Sequence, residues 1–532
     1  MAPGRVKAVV ERLRVTFESG KTRPLEYRKR QLTRLSEMIR DNEEALCDAV
    51  WKDLRRGRRE TVAFETQYLQ DEIETALSEL DSWARPQKLV SSDVPQGFDV
   101  ACVQKEPIGV VLVLSTWSFP LQLPLLLLVS AIAAGDAAVL VPSEVTENSV
   151  AALTKLVPQY LDEDAYAMMD GGVPEADELL HHRFDHIFFA GRIPAFIGCA
   201  IMTAAARFLT PVTLQLSGKS PCFVDHATVD MAVVAKRIVW GKFFNWGQTS
   251  TATDYVLVVE GGLGALVRAL RCALSELYGD DSKSDHYLRF PSQRLFRRLE
   301  KLRTATKGKV VHGGRYSASD LCMEPTLLVD VPHDDILMNK DVFGPLLPLV
   351  TVKSVDAAID MVRAKGKART LYLFSNDGAL VDKVLEGTMC DNVVINDTVQ
   401  KMLYEGVPFG GVGESGMGRF HGRAGFDTFS KDKSVLGRGL KHDSAFELFE
   451  LEKFHKKWKS NLSVRVIAAA RANPQHLALD WRSTWLRRLH TVVERMQPYH
   501  LLCSAAAGKA VNFKLYLARF LGLALGLHEL PF

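Results

Sequence analysis

Hydrophobic positions recur every three to four residues through the first 85 residues. One stripe runs through Val6, Val9, Val10 and Leu13, and another through Ala63, Tyr68, Leu69, Ile73 and Leu77. This spacing predicts helices over 5–85. Residues 86–105, punctuated by Pro and Gly, read as a strand-rich excursion. Short apolar runs then alternate with helix-like stretches: strands at 108–115, 137–141 and 186–190, helices at 124–134, 145–160 and 197–207. That alternation predicts a parallel, doubly wound sheet with strands buried on both faces. A second alternating block begins near Val212. Its strand YVLVV (255–259) precedes a helix at 263–278 with one apolar stripe through Leu263, Leu266, Leu270, Leu274 and Leu277, and strands at 371–375 and 393–396 follow. The glycine-rich stretch GVPFGGVGESGMG (406–418) reads as a loop with tight backbone contacts. Beyond Leu440 the pattern changes to basic amphipathic helices. There is no internal repeat and no low-complexity tract.

Residues 107–135 contain no charged side chain, a length that could span a membrane. Pro120 and Pro124 divide it, however, into the β-rich IGVVLVLS and the helix-like LLLLVSAIAAG, which suits a buried strand followed by a core helix. At 532 residues, roughly two to four domains are expected. With 47% hydrophobic and 24% charged residues the chain is globular rather than disordered. The formal net charge of +3 is uneven: residues 441–532 hold 14 Lys+Arg and 7 Asp+Glu, a net of +7, which leaves −4 on the first 440. Eight scattered cysteines form no CxxC pair, which argues against a zinc ribbon or a disulfide scaffold and for a reducing compartment. The N-terminus MAPGRVKAVVERLR has no long apolar core, so no secretory signal is expected.

Several stretches carry a resemblance: EPIGVVLVLSTWSFP (106–120), AIAAGDAAVLVPSE (131–144), GGVPEADELL (171–180), MTAAARFLTPVTLQLSGKSPC (202–222), WGKFFNWGQTS (240–250), VFGPLLP (342–348) and VPFGGVGESGMG (407–418). As an ordered set they resemble the aldehyde dehydrogenase superfamily, and within it the class 3 and fatty aldehyde dehydrogenases. The resemblance implies an α/β fold of two Rossmann-like doubly wound domains joined by a bridging β-hairpin. It places the cofactor-binding region at 1–85 and 105–210, the bridging and oligomerisation segment at 86–104 and 425–438, and the catalytic region at 211–396. An active-site loop follows at 397–424 and a basic helical extension at 439–532. In the family a cysteine thiolate adds to the aldehyde, hydride passes to NAD(P)+, and a glutamate activates water to release the acid.

The positions that would carry this chemistry depart from the family pattern. The nucleophile closes GQTC, where this chain has Ser250; a hydroxyl is a weak nucleophile without a dedicated base, and none is visible in the sequence. The general base of LELGG is Gln215, which cannot accept a proton at neutral pH. The oxyanion asparagine of WNYP is Ser118, in the tetrad opened by Trp117, and removing such a donor costs roughly 2.7–4 kcal/mol. Among the cofactor positions, the lysine of KPSE is Val141, although Glu144 remains. The phosphate turn opened by Gly191 continues with Arg192, and Pro194 within it removes a backbone donor. The glutamate before FGP is shortened to Asp341, while Phe343 stays. Cys222 reads as a packing residue.

These losses point to a chain that keeps the fold and has given up aldehyde oxidation for a non-redox step on a lipophilic small molecule, such as cyclisation or isomerisation in a biosynthetic pathway. No cofactor is then expected; NAD or NADP applies if a residual dehydrogenase activity survives. A non-catalytic partner of an active homologue is the remaining alternative, and the bridging segment suits a homodimer or such a heterodimer. In the extension, KFHKKWK (453–459) and RSTWLRR (482–488) accompany no recognised nucleic-acid motif, so no nucleic acid is expected. The end, NFKLYLARFLGLALGL (512–527), is too short after Arg519 to span a bilayer and suits an interfacial helix on the cytoplasmic side of a membrane.

Overall fold

The apolar runs become the strands of two largely parallel sheets. The computed structural model describes residues 4–89, 100–170, 172–191, 195–279, 287–399 and 406–437, all within one compact unit spanning Met1–Gly437. The expected extension at 439–532, with its segment 512–527, lies outside the described residues, as do Arg192 and Pro194.

The first sheet has six strands in the spatial order 416–417, 212–215, 186–190, 110–115, 137–141, 166–168. All pairs are parallel except that of Gly416–Met417 with Leu214–Gln215. Strand Val110–Ser115 shows why the sheet is covered twice. Successive side chains point to opposite faces. Val111 and Val113 pack with Leu69, Ile73 and Leu80 of the N-terminal helices and with helix Gln122–Ala134. Val110, Leu112 and Leu114 pack on the other side with Val6, Val10 and Leu13. The uncharged stretch 107–135 is thus a central strand and a core helix. Gly135, at φ 95°, ends that helix in the left-handed conformation that suits glycine. Among the described residues no helix is long and apolar enough to cross a membrane.

The second sheet runs 309–312, 326–329, 346–352, 255–259, 221–224, 368–374, 390–395, parallel except at the 309–312 edge. The strand and helix expected at 255–259 and 263–278 are Tyr255–Val259 and Leu263–Tyr278. One boundary differs. Strand Val212–Gln215 pairs with His186–Ala190 and so extends the first sheet; the second sheet begins at Pro221. Cys222 is fully buried among Val224, Val256 and Tyr372, where burial pushes its thiol up, as its packing role requires.

The bridging segment is a third sheet, but not a local hairpin. Val100–Pro107 pairs antiparallel with Ser430–Gly437 through eight residue pairs, and Gln87–Lys88 adds a short edge. Cross-strand charges line it: Lys105 reaches Asp427 at 2.8 Å and Asp432 at 2.7 Å, and Lys433 reaches Glu106 at 2.7 Å.

Helix 122–134 is buried along nearly its whole length, so its truncation leaves a cavity. Leu127→Ala is expected to cost about 2–5 kcal/mol, read as a lowered urea midpoint with unchanged slope.

Candidate functional site

Trp117 and Ser118 follow strand 110–115, Val141 ends strand 137–141 with Glu144 just beyond, Gly191 follows strand 186–190, and Gln215 ends strand 212–215. All lie at the carboxyl edge of the first sheet, the place where open α/β sheets bind ligands. The second sheet contributes Ser250, from the turn before strand 255–259, and Asp341 and Phe343, from the approach to strand 346–352.

Most of these residues converge. Ser118, Gly191, Gln215, Ser250 and Phe343 line one cavity together with His421, while Ser250, Asp341 and Phe343 line a second beside it. Trp117 stands edge-on to Phe343 with ring centroids 5.5 Å apart. Val141 and Glu144 line neither cavity: Val141 is buried in the apolar core and Glu144 is exposed. The first cavity is small, about 30 Å³ of space for the centres of water molecules. One water needs roughly 10–15 Å³ on that measure.

The walls are held by a buried cation that the sequence pattern did not single out. Arg56, fully buried, pairs with the equally buried Glu65 and donates to Ser118 O at 2.6 Å and to Asn245 Oδ1 at 2.6 Å. Glu65 sits in a π-helical turn, Val62–Thr66, and its other oxygen accepts from Leu121 N (2.7 Å) and Gln122 N (3.0 Å), at the start of the core helix. Burial pushes the Glu65 carboxyl up, while Arg56 and these two N–H groups pull it down. Asn245 Nδ2 donates to Ser118 O at 2.8 Å and to Gln248 O at 2.9 Å. The loop leading to Ser250 needs such bracing, because Asn245 (φ 45°) and Trp246 (φ 56°) are both left-handed. Trp246 is anchored by its indole N–H on Met323 O at 2.7 Å.

Gln215 is tied down on both sides of its amide. Its Nε2 donates to Gly410 O at 3.1 Å and its Oε1 accepts from Arg369 Nη2. Arg369 is fully buried, lies 4.8 Å over the Phe409 ring, and is pushed down by burial to about 10. His421 is stacked on Phe409, its Nδ1 3.2 Å from Tyr68 Oη. Tyr68 Oη in turn donates to Glu72 at 3.1 Å.

Sequence reading also missed Lys242. It sits in the last turn of helix Met231–Phe243 and lines the second cavity with Ser217, Thr249, Ser250 and Asp254. Its side chain is 1% exposed, and burial pushes the ammonium down to about 7, against the pull of Asp254 and with the push of Lys219. The signal was present as a lone basic residue in the apolar run IVWGKFFNW, whose helical period places it inward.

A family model described as the aldehyde dehydrogenase family matches residues 2–435. The chain belongs to the aldehyde dehydrogenase family. It is 40% identical to the mouse "aldehyde dehydrogenase, dimeric NADP-preferring" over 83% of this chain and 96% of that protein. It is 43% identical to cattle aldehyde dehydrogenase family 3 member B1 over 81% and 91%. Among solved structures it resembles the substrate-bound state of Staphylococcus aureus AldH, with TM-score 0.80 and 33% identity over 85% of this chain and 99% of that one.

Aldehyde dehydrogenase relatives use NAD(P), so the crevice can be tested against a dinucleotide. Its backbone shape is retained: a Cβ on Gly191, at φ 135°, would run into the Thr116 side chain, and the hydroxyls of Ser115 and Thr116 are buried there without a described partner. One donor position does not fit. Val141, 5% exposed, offers hydrocarbon where the family pattern has a lysine to hold a ribose.

Arg56→Met should remove the guanidinium paired with Glu65 and free both loops. Breaking a buried pair costs about 3–5 kcal/mol, to be read as a drop in the denaturation midpoint. The double variant Arg56→Met/Glu65→Gln should recover part of that loss.

Proposed function

We propose that this aldehyde dehydrogenase family protein performs a non-redox step, a cyclisation or isomerisation, on a lipophilic substrate of a biosynthetic pathway, with NAD(P)+ bound weakly or not at all. The observation that supports this most is Gln215, at the family's general-base position. Its amide is committed to Gly410 O and Arg369, and it can neither take a proton from water nor turn toward Ser250 without breaking both bonds. The apolar walls of the first cavity, Phe119, Leu123, Leu126, Phe343, Phe409 and Phe420, suit a lipophilic ligand, although one larger than two waters requires them to move.

A calorimetric titration with NAD+ and NADP+ tests the cofactor part. Loss of charge-assisted contacts worth roughly 1.5–3 kcal/mol each should weaken binding by decades. A low-micromolar Kd for either dinucleotide would overturn the reading. The redox part is tested with a long-chain aldehyde and NAD(P)+: no reduced-nicotinamide absorbance should develop. The variant Ser250→Cys/Gln215→Glu should remain inactive as well. A carboxylate at 215 would pair with Arg369, which lowers its pKa by about 1–3 and weakens it as a base.

We place the protein in a dimer through the bridging sheet, either with itself or with an active homologue. We also place residues 512–527 against the cytoplasmic face of a membrane. Two weak signals, the net +7 of residues 441–532 and the apolar end, act together there. Sedimentation with anionic liposomes should weaken with salt and disappear on truncation before Lys441; full-length protein that stays in the supernatant at low salt would refute the membrane contact.

A further inference from the structure

Positive charge is concentrated in one stretch of the described chain. Residues 289–315 hold nine Lys+Arg and one Asp+Glu, a net of +8, although the first 440 residues together carry −4. Helix Gln293–Ala305 forms the centre of this stretch. Its apolar side, Phe296, Leu299 and Leu302, is buried in one cluster with Leu337, Val342 and Leu346. At about 3.6 residues per turn, Arg294, Arg297 and Lys301 fall on the opposite side. All three are exposed, and none holds an ion pair among the described residues. Lys307 and Lys309 extend the row beyond the helix. Lys309 lies on an edge strand, where a lysine also serves to block mispairing, so the three helix cations carry the argument.

The row works against the helix that bears it. Arg294 lies in the first turn, at the positive end of the helix dipole, with no acidic residue beside it there. Arg294 and Arg298, like Arg297 and Lys301, are equal charges four residues apart, which repel. An opposing anionic surface would relieve that repulsion. The same helix braces the site. Arg298 donates to Val342 O at 2.9 Å and to Asp341 O, in the segment whose Asp341 and Phe343 line the cavities. Leu299 packs so closely on that segment that an added Cβ at Gly344 would come within 2.5 Å of its side chain.

We propose that Arg294, Arg297 and Lys301 form a docking face for anionic phospholipid headgroups, which sets the crevice beside the membrane that supplies its lipophilic substrate. The proposal rests on the membrane contact and lipophilic ligand of the reading above. It adds a second contact surface, on the body of the protein, that acts with residues 512–527 and not in their place. The apolar side of the helix is committed to the core, so the contact is electrostatic and weakens with salt. No aromatic side chain is exposed on this helix, so nucleic-acid bases have nothing to stack on there.

The test uses the full-length protein and vesicles of phosphatidylcholine, with and without phosphatidylserine. Each cation near an anionic surface is worth about fivefold in binding. The variant Arg294→Gln/Arg297→Gln/Lys301→Gln should therefore bind the anionic vesicles roughly a hundredfold more weakly at low salt. A dispersed variant, Arg207→Gln/Arg268→Gln/Lys353→Gln, removes the same charge from other exposed positions and should bind like the parent. An amine-acetylating reagent, read by mass spectrometry, should label Lys301 less on anionic than on neutral vesicles and leave Lys353 unchanged. Folding is checked separately. The helix variant should melt at or above the parent temperature, because it removes repulsion and glutamine keeps the helix propensity. A lower midpoint would show that the row holds the fold and would overturn the docking face. Undiminished vesicle binding by the helix variant overturns the face while leaving the tail contact standing. Equal weakening in the dispersed variant reduces the effect to net charge and also overturns it. A helix variant that loses binding to double-stranded DNA but not to vesicles makes the row a nucleic-acid surface instead. A parent protein that ignores anionic vesicles at low salt overturns both membrane contacts.

Discussion

One buried guanidinium, that of Arg56, fixes the relation between the parts of the site. It reaches Glu65 on the N-terminal helices, the carbonyl of Ser118 after the central strand, and Asn245 at the entrance to the Ser250 loop. A buried ion pair of this kind is weak evidence for net stability, because desolvation offsets most of its attraction. Its effect here is geometric. Three segments distant in sequence are registered against one planar fork, and a left-handed pair at Asn245 and Trp246, which would relax on its own, is held in place.

The backbone frame of the crevice is intact. Gly191 still allows the backbone its close approach, Trp117 and Phe343 still meet edge to face, and the strands still end where a ligand would lie. Gln215 is held by Arg369, a cation kept in the interior under Phe409, while His421 lines one cavity beside Ser250 and Lys242 lines the other.

Much of the fold could be read directly from periodicity. Strand 255–259 and helix 263–278 are local patterns, one continuous in apolar residues and the other repeating every 3.6, and nothing distant competes with them. Strand 212–215 was assigned to the wrong sheet because sheet membership is a pairing property: its partners, 186–190 and 416–417, lie on either side of it in sequence and do not alter its own pattern. The π turn at 62–66 differs from an α-helix by one residue of register and leaves no compositional trace. At the site, the motif-identified residues within the described part of the chain converge, apart from Val141 and Glu144. Arg56, in KDLRRGRRE (52–60), and Arg369, at the end of RAKGKAR (363–369), stand in charged runs that read as solvated surface until burial is known, and Lys242 is a single charge whose inward position depends on the helix that carries it.

The sheet formed by Val100–Pro107 and Ser430–Gly437 bears on how the chain is made. Its two strands are separated by about 320 residues of intervening chain, and the edge of the first sheet at Gln215 likewise waits for Gly416. At about 5–20 residues per second, a ribosome takes tens of seconds to span that gap. Throughout that interval the strand edges at 100–107 and 212–215 are open templates for any neighbouring chain. Lys105 and Glu106 within the first of them, charged and adjacent, make such mispairing less favourable until the proper partner emerges.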